Sequence, residues 1–430
     1  MSRVMKDSGI EWIGQIPENW KLERLQWHID EIKINNNPVQ TKQVLSLTNK
    51  LGVIPYEEKG AQGNTSKEDY SQYKLAYPHT IVANSMNILI GSVGVCDYFG
   101  CVSPVYYVYK PRIDSTLRFF NYIFQSQPFQ KELRCYANGI LEIRLRVSSN
   151  DILKREVAIP PLNEQQRIMD VLEEKSSMVD SIISNQEQQI EKLKAYKQSL
   201  ITEVVTKGLN PNVPMKDSGV SFIGNVPSHW QIKRAKYVAD KLVKGKGISK
   251  EEVFENGNTK CVRYGEIYTK YNQSFIDCCS KTNIEIIKPN QTFCYGDILF
   301  AGTGELIEEI GKSIVYLGNE KCLAGGDIVV MKHSENPSFL NYALNSTYAQ
   351  TQKSCGKAKL KVVHISATDI GNIILAIPPI EEQEKIAEYL DLKCSQIDRL
   401  IEIKQSKIEK LEQYKKSLIY EYVTGKKEAV

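Results

Sequence analysis

The sequence contains the same frame twice. The opening MKDSGIEWIGQIPENW at 5–20 returns as MKDSGVSFIGNVPSHW at 215–230, and 151–209 align without gaps on 369–427 with 26 identities in 59 positions. The copies are offset by 210 residues at their start and by 218 at their end, so their centres differ. A chain of 430 residues also exceeds what one hydrophobic core usually serves. We therefore predict two similar domains, each with a fixed frame and an altered centre.

The second repeated segment predicts a long helix in each copy. It follows a Pro-Pro pair, begins with acidic and Gln residues, and ends near Gly208 or Gly425. The 44 residues from Glu164 to Lys207 would span about 66 Å. Apolar residues spaced by three and four predict a heptad seam made of Val179, Ile183, Ile190, Leu193, Leu200, Ile397, Ile401, Ile408, Leu411 and Leu418.

Polar residues interrupt both seams at matching places, Lys197 with Lys415 and Gln186 with Lys404. Polar seam positions fix the register of paired helices. The match favours pairing of the two helices, although two independent amphipathic helices remain the alternative. If the first helix carries the chain away and the second brings it back, the two domains are related by a pseudo-two-fold axis.

The altered centres have a mixed α/β pattern. Short β-branched and aromatic runs such as DILFAGTG are bounded by Gly, Pro and Asn, which is typical of strands and turns. Helical patterns occupy 117–133 and 337–353. We predict α/β domains at 1–159 and 209–377, a central helix at 160–208 and a second helix at 378–430.

Catalytic and metal-binding motifs are missing from the sequence. In GTGELIEEIGKS, Gly304 precedes Gly311 by seven residues where a phosphate-binding loop needs five. The five His show no HxH or HExxH spacing, and the ten Cys form no CxxC pair. We expect reduced thiols, no metal site and no catalytic residue, although a dispersed carboxylate site stays open. The N-terminus has no secretory signal and no run spans a membrane, which indicates a cytoplasmic protein.

A net charge of +4 alone does not diagnose a polyanion-binding protein, so local clusters of charge must be considered. The altered centres contain such clusters. Basic clusters beside Gly suit phosphate contacts, and short polar side chains suit base readout. The basic candidates are Arg144, Arg146, Lys244, Lys246, Lys250, Lys357, Lys359 and Lys361, and the polar candidates are Asn84, Ser85, Asn87 and Thr303. The alternative is that the lysines form solvated faces and that the polar residues serve as turn formers.

The order of these segments resembles the specificity subunit of type I restriction-modification enzymes. The similarity covers essentially the whole chain and is carried by the repeated openings, by IPPLNEQQRI with IPPIEEQEKI, and by EKLKAYKQSLITEVVTKG with EKLEQYKKSLIYEYVTGK. It implies two target recognition domains, each reading half of a split site in double-stranded DNA. It further implies two antiparallel coiled-coil helices that hold the domains apart and dock methyltransferase subunits, with restriction subunits as a further partner.

The resemblance also implies that this chain binds no cofactor, since S-adenosylmethionine, ATP and Mg would belong to the partner subunits. A helix of about 66 Å limits the separation of the half-sites to about two duplex turns of about 34 Å. Because the centres differ, we predict an asymmetric split sequence. Two rivals remain: a non-specific architectural protein that joins two nucleic-acid-binding modules, and a self-sufficient modification enzyme.

Overall fold

A computed structural model describes residues 3–48, 52–59, 69–139, 145–245, 247–284, 291–357 and 363–429. The chain divides into two compact units. Unit 1 comprises Met1–Gln186 with Gln405–Val430, and unit 2 comprises Glu187–Lys404. Each unit therefore combines one half of the duplicated sequence with part of each long helix.

Unit 1 is built from short strands, three short helices and segments of two long ones. Its strands are β1 (Met5–Asp7), β2 (Gln15–Pro17), β3 (Lys21–Arg24), β4 (Ile29–Glu31), β5 (Leu45–Thr48), β6 (Gly52–Pro55), β7 (Lys74–Ala76), β8 (Thr80–Asn84), β9 (Val93–Cys96), β10 (Gly100–Val102), β11 (Tyr106–Pro111) and β12 (Glu156–Ile159). Its helices are α1 (Leu117–Gln125), α2 (Gln127–Arg134), α3 (Ser149–Leu153) and the first part of α4 (Leu162–Lys207).

The centre of unit 1 is an antiparallel sheet with strand order β4-β11-β8-β9. Every residue of β8 is buried. Because α1 carries Phe119, Phe120 and Phe124 at helical spacing, its apolar face packs into the same core, where Phe124 stacks on Tyr109 of β11. The sheet and this aromatic core fix the turn that follows β8.

Unit 2 repeats this plan with additions. Its strands are β13 (Met215–Asp217), β14 (Asn225–Pro227), β15 (Gln231–Arg234), β16 (Ala239–Lys244), β17 (Thr259–Val262), β18 (Ser274–Phe275), β19 (Ser280–Thr282), β20 (Thr292–Phe293), β21 (Ile298–Ala301), β22 (Thr303–Gly304), β23 (Ser313–Tyr316), β24 (Cys322–Ala324), β25 (Ile328–His333), β26 (Val363–His364) and β27 (Ile374–Ile377). Its helices are α5 (Ala235–Val238), α6 (Tyr264–Thr269), α7 (Pro337–Leu344), α8 (Thr347–Ser354), α9 (Ala367–Gly371) and α10 (Ile380–Val423), together with the end of α4.

The repeated sequence gives the same pairings in both units. Hairpin β1-β2 pairs Met5 with Pro17, and hairpin β13-β14 pairs Met215 with Pro227. Strand β3 pairs with β12 as β15 pairs with β27. The central order β4-β11-β8-β9 returns as β16-β25-β21-β23, with β18 added beside β23. The predicted fold class, two similar mixed α/β domains with two long helices, is confirmed.

In unit 1, a buried tryptophan joins the opening repeat to both long helices. The Trp20 indole Nε1 donates to Glu164 Oε2 at 3.0 Å, in the first turn of α4. Trp20 also lies against Gly425, just beyond the end of α10, where φ is +72° and a Cβ would lie 3.2 Å from the indole. Glycine is needed here because it alone combines that backbone conformation with such close packing.

Unit 2 contains the same junction with the two helices exchanged. Trp230 Nε1 donates to Glu382 Oε2 of α10 at 3.0 Å, and the indole lies against Gly208, which follows α4 and has φ of +74°. Both tryptophans are completely buried. The opening sequence therefore occurs twice because each unit must hold the start of one helix and the end of the other.

The helices pair in antiparallel fashion within each unit. In unit 2, Lys197 Nζ lies 2.7 Å from the Asp398 carboxylate and Gln189 contacts Lys404, so numbering falls along α4 as it rises along α10. In unit 1 the equivalent ion pair joins Lys415 to Asp180, also at 2.7 Å. The ten apolar residues predicted for the seam are all buried or half-buried. Two of the lysines that interrupt the seam, Lys197 and Lys415, reach aspartates on the facing helix.

Candidate nucleic-acid interface

In unit 1 the three polar candidates lie at the end of β8 and in the turn that follows it. Asn84 is buried, and its Oδ1 accepts a hydrogen bond from the Met86 backbone N–H at 3.1 Å. Ser85 is also buried, whereas Asn87 is exposed. Asn84 and Ser85 therefore shape the turn in this conformation, and Asn87 presents its side chain to solvent. A role for these residues in base readout stays a prediction.

The basic candidate Arg146 lies beside this turn. It is exposed, its backbone pairs with Asn138, and its Nη2 donates to Met86 Sδ at 3.6 Å. An exposed guanidinium on a backbone that is held in a β-bridge suits contact with phosphate or with the guanine edge. Arg144 lies outside the described residues.

Two further residues of unit 1, Lys74 and Tyr107, extend this surface and were not anticipated from sequence. Lys74 Nζ donates to Tyr106 O at 2.8 Å and lies 5.3 Å from the centroid of the Tyr107 ring. Burial lowers the pKa of Lys74, against the opposing effect of Glu31. A single lysine within a short strand carries no sequence signal, so only the fold reveals its place.

In unit 2 the equivalent turn places Thr303 against His364. Thr303 is buried, and its Oγ1 lies 3.1 Å from Nδ1 of the exposed His364. His364 stands 218 residues after Arg146, which is the offset of the second repeat, and each precedes a serine that caps a short helix. Histidine thus replaces arginine at one position of the repeat. The gapless alignment of the second repeat, continued by five residues towards the N-terminus, pairs these two residues.

The lysine clusters of unit 2 differ in what they present. Lys244 faces Asp327 at 3.7 Å with both side chains exposed, and the Asp327 carbonyl accepts from Gly302 N–H at 2.7 Å. Lys244 therefore lies near the Thr303 turn. Lys250 is exposed. Lys246, Lys359 and Lys361 lie outside the described residues.

Lys357, in the second cluster, forms an ion pair with Asp369 at 2.9 Å. A backbone hydrogen bond from Ser366 and this lysine lower the pKa of Asp369. Phosphate contact by Lys357 or Lys244 would therefore have to compete with a carboxylate.

The first lysine of the cluster KSCGKAKLK, Lys353, points into the core. Its Nζ donates to Gly311 O at 2.7 Å, and burial lowers its pKa to about 7. Gly311 closes the segment that follows Thr303. Lys353 therefore supports this segment from the protein core and does not face solvent. FFNYIFQS at 119–126 aligns with FLNYALNS at 339–346 with an offset of 220. At the same offset, the counterpart of Lys353 in unit 1 is the buried Leu133.

Comparison with known proteins decides which family carries this arrangement. The family model for the type I restriction modification DNA specificity domain matches the chain twice, at residues 17–192 and 227–413. These two matches cover most of the sequence. The chain belongs to the type I restriction-modification DNA specificity family. It contains two specificity domains, and its function is DNA recognition in a type I restriction-modification system.

Two relatives come from Methanocaldococcus jannaschii. The type I restriction enzyme MjaVIII specificity subunit is 24% identical over 414 residues, covering 90% of this chain and 88% of its own. The putative type I restriction enzyme MjaX specificity subunit is 23% identical, covering 91% and 89%. A chain from a structural study of complex assembly and conformational transition of the type I R-M system has a TM-score of 0.69 at 16% identity, covering 95% of this chain and 98% of that one. This last similarity shows a shared fold.

Within the described ranges, no helix is long and apolar enough to cross a membrane. The same part of the chain brings together no group of three or more His, Cys, Asp or Glu that could hold a metal ion.

Proposed function

We propose that each unit reads one half of an asymmetric split sequence in double-stranded DNA, as the specificity subunit of a type I restriction-modification complex in the cytoplasm. The observation that supports this proposal is that the two similar frames present different side chains at equivalent positions of the repeat. Arg146 lies beside Met86 in unit 1, whereas His364 lies beside Thr303 in unit 2. Arginine and histidine offer different hydrogen-bonding groups to a base edge, so different half-sites are expected.

The helix pair sets the gap between the half-sites and docks two methyltransferase subunits. Burial in the seam accounts for repeated apolar residues, but not for repeated exposed ones. Identical pairs that are exposed in both copies include Glu191 with Glu409, Lys192 with Lys410, Tyr196 with Tyr414, and Ser199 with Ser417. Two equal outer surfaces suit two copies of one partner, and exposed tyrosines are common in interfaces.

Catalysis belongs to the partner subunits in this proposal. S-adenosylmethionine would bind to the methyltransferase subunits, and ATP and Mg to a restriction subunit. The fixed geometry of this chain then decides which adenine or cytosine the partners can reach. Purified without partners, the chain is expected to transfer no methyl group from S-adenosylmethionine.

Single-molecule methylation sequencing of the host with and without this gene tests the proposal. We expect a two-part motif that disappears with the gene. Insertion of one heptad at equivalent points of α4 and α10 adds about 10.5 Å to each helix, which should lengthen the gap by about three base pairs and leave both ends unchanged. An unaltered methylation pattern without the gene would contradict the proposal and favour a non-specific architectural role.

A further inference from the structure

A cavity in unit 1 lies where α4 begins. It measures about 400 Å³, and its lining comes from the opening repeat, the connection before α1 and the Pro-Pro pair. Three exposed apolar side chains on the lining are Trp27, Ile113 and Leu162. Lys21 and Arg112 add positive charge to the lining, while Glu23 on the same wall is hydrogen-bonded to His28.

A buried amide on the cavity wall has an unused acceptor. Gln165 is 4% exposed, and its Nε2 donates to Pro160 O at 2.9 Å. Its Oε1 is buried and accepts no hydrogen bond from the described residues. A buried acceptor without a donor is destabilising, so this oxygen calls for a donor that the described part of unit 1 does not supply.

Unit 2 shows which donor fits. Gln383 stands 218 residues after Gln165 and makes the equivalent bond, from Nε2 to Pro378 O at 2.9 Å. Its Oε1 accepts from the backbone N–H of Asn336 at 2.9 Å, and its Nε2 also contacts the Glu335 carboxylate. In this unit the Glu335-Asn336 segment of the chain itself satisfies the glutamine.

The difference between the units has a local cause. Pro111 pairs with Ile29 as His333 pairs with Ala239, so these residues are equivalent in the two sheets. Six positions separate Pro111 from the start of α1 at Leu117, but only four separate His333 from the start of α7 at Pro337. In unit 1 the longer connection folds into a 3-10 turn at Asp114–Thr116, where the Thr116 N–H donates to Ile113 O at 3.0 Å. Thr116 precedes α1 as Asn336 precedes α7, so its backbone N–H is the equivalent donor. Because that N–H is bonded to Ile113, it does not reach Gln165.

We propose that this cavity binds a peptide segment of a partner protein that contains a Glu-Asn pair, which gives a carboxylate to Lys21 and a backbone N–H to Gln165 Oε1. The segment replaces in trans what Glu335 and Asn336 supply in cis in unit 2. Assigning the segment to a methyltransferase subunit rests on the function proposed above, whereas peptide binding itself does not. The site makes partner docking unequal at the two units.

Fluorine NMR of the full chain labelled with 5-fluorotryptophan tests peptide binding directly. The probe is a capped peptide with the sequence of residues 332–338, KHSENPS, and only four tryptophans report. Saturable movement of the Trp27 signal is expected, with the Trp20 and Trp230 signals unmoved. A peptide methylated on the Asn backbone nitrogen lacks the N–H, so about tenfold weaker binding is expected.

Two variants complete the test. Gln165→Leu removes the acceptor and is expected to weaken binding about tenfold, and unchanged Trp20 and Trp230 signals show that the unit is folded. Lys21→Glu alters only an exposed residue and is expected to weaken peptide binding similarly, because the new carboxylate would repel the glutamate of the peptide. No saturable movement of the Trp27 signal, or equal binding by the N-methylated peptide or by both variants, would overturn the proposal.

Assembly distinguishes the source of the segment. We expect both variants to bind the methyltransferase subunit about tenfold more weakly than the natural chain while the motif read by assembled complexes stays unchanged. Normal methyltransferase affinity in both variants would overturn the assignment to that subunit. If cells that carry the natural chain showed no split methylation motif, the function proposed above would be contradicted, whether or not the peptide binds.

Discussion

The two units share their frame contacts and differ at the surface that those contacts position. Trp20 and Trp230 each donate to a glutamate in the first turn of a long helix. At the turn beside the central strand, the guanidinium of Arg146 contacts a methionine, whereas the imidazole of His364 contacts a threonine. The frame is constrained because both units must hold the same helix pair, whereas the turn faces solvent and is free to diverge. In the proposed function, the residues of the frame therefore position each recognition surface, and the residues at the turn read the base sequence.

The largest expected effects are in the shared frame. Trp20→Ala and Trp230→Ala should each destabilise their unit by about 3–5 kcal/mol, because both indoles are completely buried. Trp27→Ala is the matched control, since Trp27 is 53% exposed and should change stability by about 0.5 kcal/mol or less. Denaturant titration measures all three. A loss at either junction no larger than that of the control would contradict the equivalence of the frames.

The buried lysine of unit 2 has no counterpart in unit 1 and should make the stability of unit 2 depend on pH. The amine has a pKa of 10.5 when unperturbed and about 7 in the fold, so between these values the unfolded chain binds more protons and stability rises with pH. The slope contributed by Lys353 is at most about 1.4 kcal/mol per pH unit. Denaturant titration of the natural chain and of Lys353→Met from pH 7 to pH 9.5 measures it.

Lys353→Met should remove that part of the slope, and Lys250→Met, at an exposed lysine, should preserve it. An unchanged slope in Lys353→Met would mean that this amine stays charged in the fold.

The differing turn should affect DNA binding at one half-site only. Arg146→Ala is expected to lower the affinity of the assembled complex about tenfold to a hundredfold, as loss of one good base contact costs about 1–3 kcal/mol. Discrimination should weaken in the half-site read by unit 1, and His364→Ala should affect the other half. Binding to duplexes altered in one half at a time measures this. Arg118→Ala is the control, because Arg118 is exposed and pairs with Glu173.

The smallest effects are expected in the helix seam, where the units are again alike. Lys197 and Lys415 make equivalent ion pairs with partly exposed aspartates. Lys197→Met and Lys415→Met should each change stability by about 1 kcal/mol or less, and by equal amounts. Thermal unfolding of both variants gives the comparison. A difference larger than about 1 kcal/mol would show that the two pairs are not equivalent.

The sequence predicted the features that repeat along one helix or between the two copies. The Pro-Pro pairs place the starts of α4 and α10 at Leu162 and Ile380, because proline is compatible only with the first turn of a helix. The heptad spacing is local information, and two copies with the same polar interruptions made the pairing of the helices recognisable.

The sequence could not assign individual residues at the candidate interface. Asn84 has the same identity whether it shapes a turn or contacts a base, and Lys353 belongs to a basic run although it is buried. Burial depends on long-range packing, which a single sequence does not contain. The hydrogen bond between Trp20 and Glu164 joins residues 144 positions apart, and no local sequence pattern predicts it.

Exchange of residues 1–150 for the corresponding segment of another family member tests the central claim most directly. Methylation sequencing of cells that carry the hybrid should show a motif in which one half is new, while the other half and the gap are unchanged. A motif altered in both halves, or altered in its gap, would contradict the separation of frame from reader.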